Sequence, residues 1–550
     1  MKTKSLFIFL FLIIISQQIF AQQITGSWKG ELDIQGTKLP VIMNISQEKN
    51  VYSATMDSPL QGVEGIPVDK ITFTNNELAL EITSAGATYK GKFEKEKFSG
   101  NFIQRGNTFP LVLERFDKKN NKDKSLEVLK LTSDINGSLK KIDDFLSYLE
   151  KNNAEAGEIS IFKDGKEIYK RNFGENSLPD SQKGKETFQI GSITKSMTAI
   201  MIFKLIEKKQ LDLNDKLSKF YPKIPNAGKI TISQLLNHKS GLGDYVTGKD
   251  DMKWLTAKTS EEQIMNRIIE QGTLFEPDMK QQYSNSGYYL LTKILEKITK
   301  KSYTDNLKET FIDPLQLKNF YTASQKPSNV FLPYNYANKW ESVKDFDFNN
   351  VVGVGDIATT PTNLNIIINA FFSGKLVSKE SQSTIMPAED KFGRGMSIIP
   401  FHSKIFVGHS GGTYGTNSLM VYNGEDDLSI SYSLNADRIG SNNFVIDILS
   451  ILYNTEFEMP DFTNKKVSSA ELQKYEGDYT SKEAPLGIKI FVKNDGLFAQ
   501  GTGQPEFPLE FAGDHQFKFD NAGLKITFYP EKQQMQLEQN GGKFLFDKKK

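Results

Sequence analysis

Three kinds of hydrophobic patterning follow one another along the chain. From residue 24 to about 116, apolar and polar side chains alternate at period two in GSWKGELDI, KLPVIMNIS, GATYKGKF and FPLVLERF. Gln-Gly and Asn-rich turns interrupt the alternation, which predicts an antiparallel sheet or small barrel. The lysine-rich DKKNNKDK at 117–124 then reads as a solvated linker. In the centre the period lengthens: in DINGSLKKIDDFLSYLEKNN, Leu139, Ile142, Phe145, Leu146 and Leu149 recur at helical spacing. EISIFKDGKEIYKRNFG predicts a hairpin turning at Asp164-Gly165. Mixed helices and strands continue to NNFVIDILSILYN, whose apolar positions near 445–452 predict a closing helix. From about 468, short alternating strands return in YEGDYTS, GIKIFVKNDGLFAQ, LKITFYP and KFLFD.

With 550 residues the chain is too long for one ordinary core, and the pattern divides it. The expected parts are an N-terminal β domain at 22–116, a linker at 117–131, a mixed α/β domain at 132–456 and a C-terminal β domain at 466–548. The first residues, MKTKSLFIFLFLIIISQQIFAQQ, have a different character. Lys2 and Lys4 precede an apolar run at 6–15, and Ala21 offers a small residue for cleavage. This predicts a secretory signal peptide at 1–21 and an exported protein, periplasmic or secreted. The run is too short to span a membrane comfortably, and no other run approaches that length, so the mature chain is expected to lack an integral membrane segment.

Composition narrows the chemistry. A net charge of +1 gives no reason to expect a nucleic-acid partner. With no cysteine there is no disulfide, no lipidated cysteine after the signal, no thiolate metal site and no thiol nucleophile. Four histidines without H-E-x-x-H spacing predict neither a metal nor a cofactor.

Candidate chemistry starts from FVGHSGGTYG, where Gly408-His409-Ser410-Gly411-Gly412 is a literal G-x-S-x-G. That pattern places a nucleophilic serine on a strand-to-helix turn, with an acid and a histidine downstream. Here a strand, an Asn423-Gly424 turn and another strand follow, and the sole downstream histidine is His515 in the C-terminal block. Ser410 is therefore rejected as nucleophile. FQIGSITKSMTAIMIFKLIEKKQL offers a better one: Ser192 and Lys195 form S-x-x-K at the head of an apolar helix. The i,i+3 spacing puts the amine beside the hydroxyl, and a partly desolvated lysine can accept its proton. A second S-x-x-K, Ser138 to Lys141, reads as a solvated helix face. YSNSGYYLLTKIL gives Tyr283-Ser284-Asn285 before another helix; the phenol can share the lysine's proton and the amide can orient a carbonyl. A second Y-x-N, Tyr336-Ala337-Asn338, falls in a loop-like stretch. His409-Ser410-Gly411 lies on a strand whose small edge lets substrate lie against the backbone, with the Gly412 amide as second oxyanion donor. His238, in LLNHKSGL, is assigned the structural task of hydrogen bonding a loop.

S-x-x-K, Y-x-N and H-x-G in this order resemble the penicillin-recognising serine hydrolases, in the branch of class C β-lactamases, DD-peptidases and related esterases. FQIGSITKSMTAIMI, TISQLLNHKSGL, YSNSGYYLL, FIDPLQLKNF and GHSGGTYGTNS extend the similarity over roughly 132–456. The resemblance implies an antiparallel sheet flanked by helices plus a helical subdomain, with small β domains at either end. It implies Ser192 as the acylated nucleophile, Lys195 and Tyr283 sharing proton transfer, and Asn285, His409, Ser410, Gly411 and Gly412 binding substrate. Three departures stand out: Pro277-Asp278 for the family's Pro-Gly, VGVGDIATTPTNL for its glycine-rich block, and His409 for the lysine of true β-lactamases. The first two are expected to lie off the proton path. The function expected is an exported serine hydrolase acting through an acyl-enzyme on an ester or amide, D-amino-acid peptides included, with a small-molecule or peptide substrate. A β-lactamase or DD-carboxypeptidase is one alternative; a non-catalytic ligand-binding protein on the same fold is the other. The oligomeric state is left open.

Overall fold

A computed structural model describes residues 24–34, 37–49, 51–59, 63–104, 107–117, 129–247, 254–336, 340–343, 346–387, 392–460, 462, 467–481, 487–493, 495–502, 506–519, 523–539 and 542–549. The expected signal peptide and most of the expected linker lie outside them. The chain falls into two compact units, one holding the N-terminal sheet and the other the central and C-terminal elements.

The alternating N-terminal stretches form nine strands: β1 (Gly26–Ile34), β2 (Thr37–Glu48), β3 (Val51–Ser58), β4 (Val63–Pro67), β5 (Lys70–Thr74), β6 (Glu77–Ile82), β7 (Ala87–Glu94), β8 (Lys97–Gln104) and β9 (Asn107–Phe116). They pair in the order β4-β3-β2-β1-β9-β8-β7-β6-β5, so the first and last of these nine strands meet in mid-sheet. In β7 every second residue is buried, as the period-two pattern requires. The buried face centres on Trp28, whose ring meets Phe98 edge-on at 4.7 Å and Phe93 at 5.9 Å. Its Nε1–H donates to Ile24 O at 2.8 Å.

The central sheet contains β10 (Glu155–Lys163), β11 (Lys166–Phe173), β16 (Ser397–Phe401), β17 (Lys404–Gly412), β18 (Asn417–Asn423) and β19 (Leu428–Asp437), ordered β11-β10-β19-β18-β17-β16. The short strands β13 (Tyr334–Tyr336) and β14 (Trp340–Ser342) attach to it, and β12 (Phe188–Gln189) pairs with β15 (Ala358–Thr359). The hairpin between β10 and β11 turns at Asp164-Gly165, both left-handed at φ 53° and 70°, as a tight two-residue turn demands. Helices cover both faces. Ser431 meets Asn365 of the helix Pro361–Phe372 at 2.9 Å, while its neighbour Tyr432 packs edge-on against Phe444 of the helix Ser441–Tyr453. Successive residues of a strand point to opposite faces, so these helices lie on opposite sides. The helix Ile135–Lys151 packs beside Ser441–Tyr453, and this corrects one expectation: Ser138 is buried, donating to Ile451 O at 3.1 Å, rather than solvated. A helical region built on Thr194–Glu207, Ile232–Leu236, Glu261–Gln271 and Asn285–Thr299 shares one large apolar core with one face of the sheet.

The last block closes into an eight-stranded barrel: β20 (Gly477–Thr480), β21 (Ile488–Lys493), β22 (Gly496–Gly501), β23 (Glu506–Gly513), β24 (Gln516–Phe519), β25 (Leu524–Tyr529), β26 (Gln534–Gln539) and β27 (Gly542–Lys548). Arg438, just past β19, grips Glu510 of the barrel with two parallel bonds of 2.7 and 2.8 Å. Among the described residues no helix is long and apolar enough to cross a membrane.

Trp28→Ala should destabilise the N-terminal sheet by about 3–5 kcal/mol, the usual cost of emptying so large a site. Calorimetry should show the corresponding transition moved to lower temperature. An unmoved thermogram would mean that Trp28 is not the centre of that core.

Candidate active site

Ser192 stands on a single 3-10 turn, Gly191–Ile193, that leads into the helix Thr194–Glu207. It thus precedes the helix it was expected to start. The pairing of β12 with β15 and a 3.0 Å bond from Ile190 N–H to Ile357 O fix its approach. The helix behind is buried on nearly every side, which is why its sequence is apolar all round rather than striped.

That burial takes Lys195 with it, at 0% exposure. Its Nζ donates to Ser192 Oγ at 2.9 Å and to Val354 O at 2.8 Å. Burial pushes the amine down to about 7, against an opposing upward pull from the Asp244 charge. Val354 belongs to the glycine-rich block expected to lie off the proton path. The block in fact touches that path through a main-chain carbonyl, the group a buried N–H needs.

Tyr283 OH donates to the same Ser192 Oγ at 2.8 Å. Burial holds the phenol well above its ordinary range, so it stays protonated. Its ring stacks on His238 at 4.4 Å, and the His238 Nδ1 accepts from Ser284 N–H at 3.2 Å. His238 thus braces the tyrosine loop from two directions, and burial drives its imidazole far toward the neutral form. Asn285 opens the next helix and spends its amide on Asp244: Nδ2 donates to Oδ2 at 2.8 Å and the backbone N–H at 3.3 Å.

His409, Ser410, Gly411 and Gly412 form the end of β17. His409 is buried, and its Nδ1–H donates to Ser410 O at 2.5 Å. Burial pushes the ring down to about 4, with the nearby Lys195 charge adding to the effect. Ser410 is exposed near the end of β17, with strand β18 following rather than a helix. Gly411 and Gly412 run in backbone contact with the serine turn. A Cβ on Gly411 would lie 1.8 Å from Ile190 O and 3.0 Å from Ser192 N; one on Gly191 would lie 2.6 Å from Gly412 O and 2.9 Å from Gly412 N. The structure therefore gathers Ser192, Lys195 and Tyr283 in direct contact and lays the β17 glycines beside the serine. The second Y-x-N lies partly outside the described residues, and His515, exposed in the turn between β23 and β24, bonds Tyr475 at 2.7 Å.

Two residues of this site carried no motif. Asp244 lies two positions past the block that ended at Leu242, and Val354 contributes only its carbonyl. The substitution of Asp278 for the family's glycine also becomes intelligible. Asp278 sits at φ 67°, where glycine is favoured and aspartate tolerated, and its carboxylate accepts a bond from the Gln234 side chain. Among the described residues no three His, Asp or Glu side chains gather as a metal site would require.

A helix-flanked antiparallel sheet with a serine, a buried lysine and a tyrosine meeting at its edge defines a serine hydrolase of the β-lactamase-related kind. The chain belongs to the Beta-lactamase family, whose sequence model matches residues 147–445. It is 25% identical over 409 residues to penicillin-binding protein 4* of Bacillus subtilis, covering 68% of this chain and 89% of that one. It is 26% identical over 298 residues to the teichoic acid D-alanine hydrolase of Staphylococcus aureus, covering 52% and 70%. Among solved structures, D-amino acid amidase from Ochrobactrum anthropi is similar in fold, with a TM-score of 0.51 at 23% identity over 58% of this chain and 99% of that one. So is the octameric penicillin-binding protein homologue of Pyrococcus abyssi, with a TM-score of 0.51 at 24% identity over 75% and 99%. The alternative of a non-catalytic binding protein gives way to the enzyme.

Gly191 is at φ 52° with the Gly412 backbone against it. Gly191→Ala should therefore cost about 1–3 kcal/mol of stability. It should also slow the reaction of Ser192 with a fluorophosphonate, read by gel fluorescence. A variant with unchanged melting and labelling would show that the serine turn has room to spare.

Proposed function

We propose that the protein is an exported hydrolase that forms an acyl-enzyme at Ser192 from esters or amides, D-aminoacyl compounds among them. The reading is carried by the convergence of Lys195 Nζ and Tyr283 OH on Ser192 Oγ, at 2.9 and 2.8 Å. The names of the D-alanine hydrolase and penicillin-binding relatives support the aminoacyl and peptidyl side of it. Export rests on the N-terminal segment 1–21, and the hydrolase module is taken as 132–456 with β modules at 22–116 and 466–548.

In this mechanism neutral Lys195 takes the Ser192 proton as Oγ attacks the carbonyl carbon. The N–H groups of Ser192 and Gly412 receive the developing oxyanion. As the bond to the leaving oxygen or nitrogen breaks, the proton passes from Lys195 through Tyr283 to that atom. Water then attacks the acyl ester, giving its proton back along the same route, and the acid leaves. Asn285, His409 and Ser410 line the substrate. Because His409 is neutral near pH 7, it supplies no standing positive charge for a substrate carboxylate.

Fluorophosphonate should label Ser192, and Ser192→Ala should lose label and turnover while folding normally. Lys195→Met should reduce turnover by about 10²–10⁴-fold, the usual worth of a positioned proton-transfer group. An adduct on Ser410, or near-normal turnover without Lys195, would overturn the assignment.

Two rate measurements follow from the site's charges. The kcat/KM for a neutral ester should rise with pH through about 7, since Lys195 works as the free amine and is protonated below that value. A profile flat from pH 5 to 9 would contradict a lysine base. p-Nitrophenyl butyrate should be cleaved much faster than nitrocefin, whose carboxylate finds no fixed cation at position 409; the reverse ranking would make the protein a β-lactamase.

A further inference from the structure

We propose that a cavity at the end of the central sheet remote from Ser192 binds a small zwitterion, an α-amino acid or dipeptide with an apolar side chain. It is a second ligand site, separate from the serine and independent of the hydrolase reading.

The cavity has a volume of about 420 Å³, within the range of small-molecule pockets. It opens between the β10–β11 turn, the C-terminal end of the helix Pro361–Phe372 and the β18–β19 turn. Strand register gives its distance from the catalytic groups. Asn417 opens β18 opposite Gly412, beside the serine turn, whereas Tyr422, near the other end of β18, lines the cavity. Five steps of extended chain separate the two by about 17 Å.

The walls are fastened to one another. Asp164 N–H in the first turn donates to Asp427 O in the second at 3.0 Å. The Phe372 ring stacks on that of Tyr422 at 4.3 Å, joining helix to strand. Tyr422 OH in turn donates to Asp427 Oδ1 at 3.0 Å. Phe162, Leu315, Ile366 and Ala370 supply apolar lining between these ties. A site already held in shape spends little of its binding energy on ordering.

The polar groups select the ligand. Asp427 and Lys375 both line the cavity, yet among the described residues neither forms an ion pair. Asp164, the other carboxylate of the wall, is paired with Lys163. One unmatched charge of each sign is left, the anion fixed by Tyr422 and the cation on the flexible stem of exposed Lys375. A simple cation would match only Asp427, and a simple anion only Lys375. A zwitterion matches both.

Asn369 agrees with this reading. Its amide N–H groups go to Asn365 O and Ser429 Oγ, at 2.8 and 2.7 Å, which leaves Oδ1 as an acceptor. Ser429 stands two residues beyond Asp427, so this acceptor and the carboxylate share the start of β19. An α-ammonium brings three N–H donors to such acceptors, while the α-carboxylate is left for Lys375.

Calorimetry on the full-length protein tests the assignment with L-phenylalanine as probe. Saturable binding is expected with a Kd of about 0.1–1 mM, reasonable for so small a molecule. Phenethylamine lacks the carboxylate and 3-phenylpropionate the ammonium. Each should bind about tenfold more weakly or worse, the lower end of what a charge-assisted hydrogen bond is worth. Lys375→Ala should remove most of the difference between phenylalanine and phenethylamine. Ser373→Trp, at an exposed position of the lining, should obstruct the cavity and weaken phenylalanine by about tenfold or more. Both variants should keep the wild-type Tm and the wild-type turnover of p-nitrophenyl butyrate. Absence of saturable binding overturns the proposal, as does either analogue binding as tightly as phenylalanine. So does full binding by Ser373→Trp, which would put the amino acid elsewhere, or an unchanged preference in Lys375→Ala. A wild type that cleaves no ester counts against the hydrolase reading alone, since binding here is measured without turnover.

Discussion

The site depends on an amine held where water cannot reach it. Lowering Lys195 from its ordinary 10.5 to about 7 corresponds to about 5 kcal/mol against the charged form. That burial is tolerable because the amine is never without a partner: one bond goes to Ser192 and one to Val354 O. The carbonyl must therefore be as well fixed as the lysine. Gly353 N–H donates to Asp356 Oδ1 at 2.8 Å, and Gly353 O accepts from Thr198 Oγ1 at 2.7 Å, one helical turn beyond Lys195. Helix and glycine-rich turn thus hold each other, with the lysine between them.

This arrangement explains which parts of the molecule were legible in the sequence. Alternation in the terminal blocks is a direct record of strands with one buried face, so the sheet and barrel could be anticipated. The S-x-x-K and Y-x-N elements are legible because the contacts are made by their side chains, and helical spacing places Lys195 beside Ser192. Val354 works through its carbonyl, which every residue type possesses, so no pattern marks it. Ser138 shows the opposite failure: its S-x-x-K spacing looked surface-like, yet burial against Ile451 was decided by a helix more than three hundred residues away. His238 was assigned a structural part, but the particular partner, the ring of Tyr283, depends on tertiary packing.

Glycine choices show how closely backbone is used as building material here. β17 approaches the serine turn so nearly that Gly411 has no room for a Cβ beside Ile190 O, and Gly191 none beside Gly412. From the sequence alone these glycines read as room for substrate. They also make room for the strand itself, and main-chain N–H groups can then stand beside the serine without any side chain in between. Where the departure from the family is Pro277-Asp278, the left-handed backbone is retained and an aspartate fills it with a compensating bond. Backbone geometry is the quantity being kept.

The electrostatic balance follows from the same burial. Desolvation lowers Lys195 to about 7 and His409 to about 4, whereas Asp244, fed by three N–H donors, remains half-buried at the site. Asp244 opposes the burial of Lys195 by holding its proton on. Protonation of the lysine is thus set by two opposed effects, burial and one carboxylate that Asn285 of the Y-x-N element holds in place.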